Sequence, residues 1–313
     1  MRSAIPSRLA GHQQTQTPFT AGALGRPWRL ALSAVGRRIY VIGGDTANGV
    51  VGDLEIYDPA TDTWERGAPK PTPASNIGAA VLAGEIFVPG GYTGDEQVLN
   101  AVEAYSPASN TWRSVGSLPG PRCAYAIASL RERLYIFGGW DGKRYVADVL
   151  IYDPERDSWD LGTPMAKARG FAAAAALGNR IYLVGGYDGA EELATLEVYD
   201  PALEGTPESP WQTLAPMAAA RGGLGLAVAG SRLYAVGGGW NGGLGFNESY
   251  DVSTNRWQAF PSPILGQWRT LGLASVEDSL GTTLYAVGGW TGNRVPANQA
   301  FRALLNVYLP VLP

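Results

Sequence analysis

Cysteine and histidine are almost missing from this chain. Among 313 residues there is one of each, Cys123 and His12. A lone cysteine excludes an internal disulfide. One thiol and one imidazole cannot supply a zinc site built on those ligands. A serine–histidine catalytic pair would have only His12, near the N-terminus, to draw on. Lysine is also scarce, three residues against 21 arginines, which we read as codon bias with some advantage to Arg at ring contacts. The formal net charge is −4 with no basic run, so nucleic acid is not expected as a main partner. No apolar run reaches about 18 residues, so no membrane span is expected. Arg2 and Arg8 have no apolar stretch behind them, and no signal peptide is expected within the chain.

What is abundant is glycine (42) and proline (22), alongside ten Trp and fifteen Tyr. With that aromatic content the composition describes a turn-rich all-β chain, not a disordered one. Glycine pairs recur at Gly43-Gly44, Gly90-Gly91, Gly138-Gly139, Gly185-Gly186, Gly237-Gly238 and Gly288-Gly289, spaced 47, 48, 47, 52 and 51 residues apart. Behind them stand Tyr57, Tyr105, Tyr152, Tyr199 and Tyr250, and seven residues after four of these come Trp64, Trp112, Trp159 and Trp257. In the fourth unit the step from Tyr199 to Trp211 is twelve, a five-residue insertion in a surface turn. Each unit reads as strand, hairpin turn, strand, tight turn, strand. A period near 47 with four short strands fits a propeller blade.

The glycine pair, the Tyr-Asp-Pro turn and the spaced Trp resemble the kelch repeat, over roughly residues 24 to 309. The resemblance implies a six-bladed kelch-type β-propeller, four antiparallel strands per blade, occupying residues 12–313. Residues 1–11, polar and mixed, are expected as a flexible tail. Residues 13–20 are expected as the outermost strand of the last blade, because ring closure removes an unpaired edge; the competing reading is a disordered tail. Phe19 is placed at the Trp position of that strand. The last blade is read as 270–276, 284–287 and 303–308, with Tyr308 the sixth Tyr of the series. The ending Tyr308-Leu309-Pro310 resembles tails of exported bacterial proteins, which favours an extracellular or periplasmic location over a cytoplasmic one. The chain is expected to be a monomer.

Little in the sequence carries catalysis. Copper-radical oxidases on kelch propellers need paired His ligands, which this chain lacks, and no cofactor is expected. Cys123 is read as a small buried hydrophobe despite its neighbour Arg122. Glu191-Glu192 is read as part of a solvated loop. Asp58, Asp153, Asp200 and Asp251 are read as turn residues bonding local backbone.

An aromatic residue follows five of the six glycine pairs: Tyr92, Trp140, Tyr187, Trp240 (after a third glycine) and Trp290. Repeat symmetry puts them on one rim around the axis. In kelch domains that bind peptides this position contacts the ligand, so the resemblance assigns ligand contact to Tyr92 and Tyr187, with the three Trp in the same slot. The family also places Arg, Ser or Asn at the start of inner strands. The matching positions are Arg29, Asn76, Ala124, Phe171 and Gly223, with Arg269 nearest that slot in the sixth unit. Only Arg29, Asn76 and Arg269 keep polar character, so a strongly acidic peptide is not favoured. The resemblance implies a non-catalytic scaffold for a protein or peptide partner. The alternative is a carbohydrate-binding or sugar mutarotase-like propeller using the central basin, with a glycan as partner.

Overall fold

Ile39, Tyr40, Val41 and Ile42 are all buried, as are Leu134 to Phe137 in the third unit. A strand packed on both faces runs apolar without alternation, and this is the second strand of every blade. The computed structural model describes residues 16–19, 27–240, 244–262, 268–293, 295 and 298–305. The chain opens with β1 (Gln16–Phe19). Blade one holds β2 (Ala31–Val35), β3 (Arg38–Thr46), β4 (Gly49–Asp58) and β5 (Thr63–Arg66). Blade two holds β6 (Ala80–Leu82), β7 (Glu85–Tyr92), β8 (Val98–Ser106) and β9 (Thr111–Val115). Blade three holds β10 (Ala126–Leu130), β11 (Arg133–Phe137), β12 (Val149–Asp153) and β13 (Ser158–Gly162). Blade four holds β14 (Ala173–Leu177), β15 (Arg180–Val184), β16 (Leu196–Tyr199) and β17 (Trp211–Leu214). Blade five holds β18 (Leu224–Ala229), β19 (Arg232–Gly237), β20 (Phe246–Asp251) and β21 (Arg256–Pro261). Blade six holds β22 (Gly272–Asp278), β23 (Gly281–Val287) and β24 (Asn298–Leu305).

The described strands form six four-stranded antiparallel sheets, five in simple sequential order and the sixth in the order β1-β24-β23-β22. Innermost strands of neighbouring blades touch all the way round, including β2 against β22. The ring is therefore closed by the N-terminal strand, and the six-bladed propeller is as the repeat implied. The alanine run Ala173–Leu177 is a strand, its helix propensity overridden by its place near the axis. The only helical piece among the described residues is a 3₁₀ turn at Pro201–Leu203. No helix there is long and apolar enough to cross a membrane.

The repeated aromatic residues form latches between blades. Tyr152 faces Trp159 across β12 and β13. The Trp159 indole donates to the Gly116 carbonyl of blade two (2.8 Å), the Tyr152 hydroxyl donates to Asp157 (2.5 Å), and the Gly116 N–H donates to the same Asp157 oxygen (2.7 Å). Trp112, Trp211 and Trp257 repeat the indole bond to Ala68, Thr163 and Ala215. Asn110, Glu204 and Asn255 take the role of Asp157. Glu204 lies in the five-residue insertion, whose extra length carries a longer side chain to the same point. Each latch satisfies buried polar groups while burying a large aromatic surface.

The glycine pairs let the chain cross between blades. Gly91 donates to Arg122 O at 2.8 Å. A Cβ on the preceding Gly90, at φ 55°, would stand 2.1 Å from that same oxygen. Only glycine tolerates this approach. At three of the crossings an arginine folds back onto its own blade. Arg122 pairs with Asp148 (3.0 Å), Arg169 with Glu197 (2.5 Å) and Arg221 with Glu248 (3.1 Å), the last pair completely buried.

Blade six departs from the expected register. Its third strand runs Asn298–Leu305, and Leu284 faces Phe301, where every other blade puts the recurring Tyr. Phe301, not Tyr308, is thus the sixth member of that series, and Tyr308 lies outside the described residues. Phe301 in turn faces Gln16, so Gln16 and not Phe19 holds the Trp position of β1. In the sequence Phe19 stands ten residues before Arg29, the same step that separates Trp112, Trp159 and Trp211 from Arg122, Arg169 and Arg221. The true counterpart of Arg122 is Pro27, whose carbonyl accepts from Gly289 as that of Arg122 does from Gly91. The expected tail at 1–11 also lies outside the described residues.

Candidate functional site

Six residues leading into the innermost strands circle the axis with left-handed backbone: Arg29 (φ 57°), Asn76 (52°), Ala124 (52°), Phe171 (54°), Gly223 (70°) and Thr270 (54°). Five main-chain hydrogen bonds tie neighbours together, from Arg29 to Thr270 (3.0 Å), Thr270 to Gly223 (2.6 Å), Gly223 to Phe171 (2.8 Å), Phe171 to Ala124 (2.7 Å) and Ala124 to Asn76 (2.8 Å). Left-handed φ is costly for a bulky or β-branched residue and persists only where surroundings over-determine it. Here the bonded ring does so. The sixth member is Thr270. Arg269 stands one place earlier, level with Trp28, and so is not in the slot expected for it.

Above the ring opens a basin of about 490 Å³. One wall is the indole pair Trp28 and Trp290, 4.9 Å apart. The facing wall is Tyr145, Phe171 and Trp240, with Phe171 4.8 Å from Trp240 and 6.4 Å from Tyr145. Arg29, Arg269 and Thr270 complete the lining. The Arg29 guanidinium lies 4.0 Å over Trp28, and that of Arg269 5.9 Å over Trp240. Below the basin the ring encloses a narrow throat of about 90 Å³. A channel of about 390 Å³ follows, walled by small residues of the innermost strands such as Ala80, Ala128, Ala175 and Ala227.

Of the residues singled out in the sequence, Arg29, Arg269, Trp240 and Trp290 line the basin together, and Asn76 lines the throat. Trp140 and Tyr187 stand behind the wall, 5.0 and 5.7 Å from Tyr145. The Tyr187 hydroxyl is spent on Gly189 O within its own hairpin (2.9 Å). Tyr92 bridges to Ser75 through its main chain and does not line the basin. Trp28, Tyr145, Phe171 and Thr270 are lining residues that the aromatic-after-glycine pattern passes over. Tyr145 sits directly across its hairpin from Trp140, as Glu192 does from Tyr187, so a second position, five residues on, carries side chains across to the next blade.

Glu192 is such a side chain. It is half-buried, and one carboxylate oxygen accepts from the N–H of Gly222 (2.8 Å) and of Trp240 (2.9 Å). The solvated-loop reading is therefore corrected for Glu192, while Glu191 is exposed. Asp58, Asp153, Asp200 and Asp251 each accept local backbone N–H bonds as turn residues.

Burial lowers the pKa of Arg29 below the usual arginine range; nearby Asp45 opposes this and Arg269 adds to it. The Arg29 Nε is buried with no hydrogen-bond partner among the described residues, as is the Trp28 Nε1. Neither Arg29 nor Arg269 has an ion pair there. Arg29 and Arg269 thus bring two guanidiniums into a basin walled by aromatic faces, with Asp45 the nearby acidic group. Burial also pushes the Tyr145 phenol and the Cys123 thiol up to about 12. Cys123 is buried, as expected of a small hydrophobe.

Residues 29–165 match the family model KLHDC2/KLHL20/DRC7 Kelch-repeats domain, and residues 168–218 match the Kelch motif. The chain is similar to Kelch-like protein terF of Aspergillus terreus, 35% identical over 83 residues, which is 25% of this chain and 18% of that protein. It is similar to human Kelch-like protein 35, 31% identical over 83 residues, 26% of this chain and 14% of that protein. The match thus spans less than a fifth of either relative. Among solved structures, that of YjhT superposes with a TM-score of 0.70 at 16% identity, covering 92% of this chain and 95% of that one, a likeness of fold. Repeat, closed ring and family models agree, and the chain belongs to the kelch-repeat β-propeller family.

Proposed function

We propose that this chain is a non-catalytic scaffold that takes a protein or peptide segment into the axial basin. One observation carries this reading: Arg29 and Arg269 stand between two aromatic walls, without ion-pair partners among the described residues. Aromatic and Arg side chains in a partly desolvated hollow are the typical anchors of an interface. The lining offers guanidinium, indole, phenol, phenyl and hydroxyl groups. A phenol held near 12 does not act as a base near neutrality, so the lining is better suited to binding than to proton transfer.

A carbohydrate ligand is the second reading, favoured by the flat faces of Trp28 and Trp290 at the mouth. Paired peptide and glycan arrays, probed with wild type and with Trp28→Ala/Trp290→Ala, separate the two. Peptide hits that vanish in the variant support the proposal. Glycan hits alone move the assignment to sugar, and profiles unchanged by the substitution remove the basin as the site.

A further inference from the structure

The six ring positions share one backbone conformation but not one chemistry. Ala124 and Gly223 are small, Asn76 and Thr270 are short and polar, and Phe171 alone carries an aromatic ring. A Phe at φ 54° is held against its intrinsic preference. Strain of this kind collects at ligand clamps, and an observed outlier is a fair start for a functional hypothesis. The Phe171 side chain lines both the basin and the throat, and it packs edge-on to Trp240 at 4.8 Å and 74°. The side of the basin formed by blades three to five is consequently aromatic from mouth to floor. Arg29 and Arg269, contributed by blades one and six, are its cations, each over an indole and neither in an ion pair among the described residues.

We infer that Phe171 is the specificity-determining residue of the basin, and that the preferred anchor is an aromatic side chain next to a single carboxylate in a peptide segment. This rests on the peptide-binding reading above. The ring of the anchor packs against Phe171 and Trp240, where an offset or edge-to-face partner is favoured over an aliphatic one. The carboxylate meets the guanidiniums of Arg29 and Arg269, neither of which has an ion pair among the described residues. A hollow of about 490 Å³ holds one large side chain and its neighbour, and no extended acidic cluster. Two cations on one side of the axis likewise match one carboxylate, not several.

The test uses four fluorescently labelled hexapeptides that differ at a central pair: Phe-Glu, Phe-Gln, Ala-Glu and Ala-Gln. They are titrated into wild type, Phe171→Ala and Arg269→Met. Ala124 already occupies the equivalent slot at φ 52°, so alanine fits the backbone at 171. Wild type should bind Phe-Glu about tenfold tighter than either single exchange, the size of about 1.4 kcal/mol. Phe171→Ala should abolish the Phe-over-Ala preference and keep the Glu-over-Gln preference. Arg269→Met should do the reverse. A purely structural role for Phe171 would weaken all four peptides alike and overturn the inference. Wild-type binding with no Phe-over-Ala preference overturns the inference while leaving the peptide reading intact. Binding of none of the four, with glycan hits on the array, overturns both.

Discussion

Glu192 of blade four accepts a hydrogen bond from the main-chain N–H of Trp240 in blade five, at 2.9 Å, through the same oxygen that accepts from Gly222. A carboxylate thereby sets the position of one basin wall from the neighbouring blade. Replacing Glu192 by Ala leaves two half-buried donors without this acceptor and should cost about 1–3 kcal/mol. Glu192→Gln keeps an acceptor oxygen and should cost less than half as much. Urea midpoints with near-ultraviolet circular dichroism, which reports the Trp240 environment, check this. Equal losses in the two variants would show that the charge, not the acceptor, matters.

The latch at Asp157 predicts an unusual tolerance. Asn110 and Asn255 fill the same place in blades two and five, at φ 54° and 52° against 48° for Asp157. Asp157→Asn should therefore change stability by less than about 0.5 kcal/mol at neutral pH, and Asp157→Ala should cost about 2 kcal/mol through lost bonds and left-handed strain. The two should also differ from wild type in acid. The hydroxyl of Tyr152, the Gly116 N–H and nearby Arg113 hold the Asp157 carboxyl below the usual carboxylate range. A depressed folded-state pKa contributes stability above the unfolded value, and that stability is lost as pH falls. Asp157→Asn should flatten the acid limb of a melting-temperature profile below about pH 4. An unchanged limb would contradict the latch.

Arg221 and Glu248 form a completely buried pair, and Arg221 also donates to the carbonyls of Gly237 (2.6 Å) and Phe246 (3.0 Å). Arg221→Met strands a carboxylate in the interior and should cost about 3–5 kcal/mol. Arg221→Met/Glu248→Met removes both charges and should recover part of that loss. Chemical denaturation of the single and double variants measures it. A double variant worse than the sum of the two singles would mean that the pair is not what holds the crossing.

Cys123 gives the alkaline counterpart. Burial pushes its thiol up to about 12 from an ordinary 9.0. The folded state thus holds this proton more tightly than the unfolded chain. The associated stability is full below about pH 9 and declines as pH rises toward the folded-state value. Cys123→Ala should lose less stability than wild type between pH 8 and pH 10.5, read from guanidinium midpoints. The native thiol should also resist iodoacetamide at pH 8 and react once the chain is unfolded. Rapid native labelling would contradict the burial.

The architecture was legible because glycine pairs, Tyr and Trp each answer to a separate physical demand at one period. Close approach demands glycine at the crossings, and filling diverging blades demands large rings. Where one of the three markers was replaced, legibility failed. Phe301 stands where the series implies Tyr, so the repeat places the third strand of blade six too late in the chain. Without a Trp in β1, Phe19 drew the register three residues past Gln16. The basin was legible through half its lining, since Trp240 and Trp290 follow glycines and Arg29 sits in the ring. Tyr145 and Glu192 escaped because their role depends on a hairpin partner five residues back and on reach into the next blade. That relation has no local signature.

The most direct test of the basin as the binding site is ¹⁹F NMR of the protein labelled with 5-fluorotryptophan, titrated with the tightest peptide from the array. Of the ten indoles, Trp28, Trp240 and Trp290 line the basin, and Trp112, Trp159, Trp211 and Trp257 sit in the latches. Bound peptide should shift the three basin resonances and leave the latch resonances in place. Shifts confined to the latch indoles, with the basin three unmoved at saturation, would contradict the account.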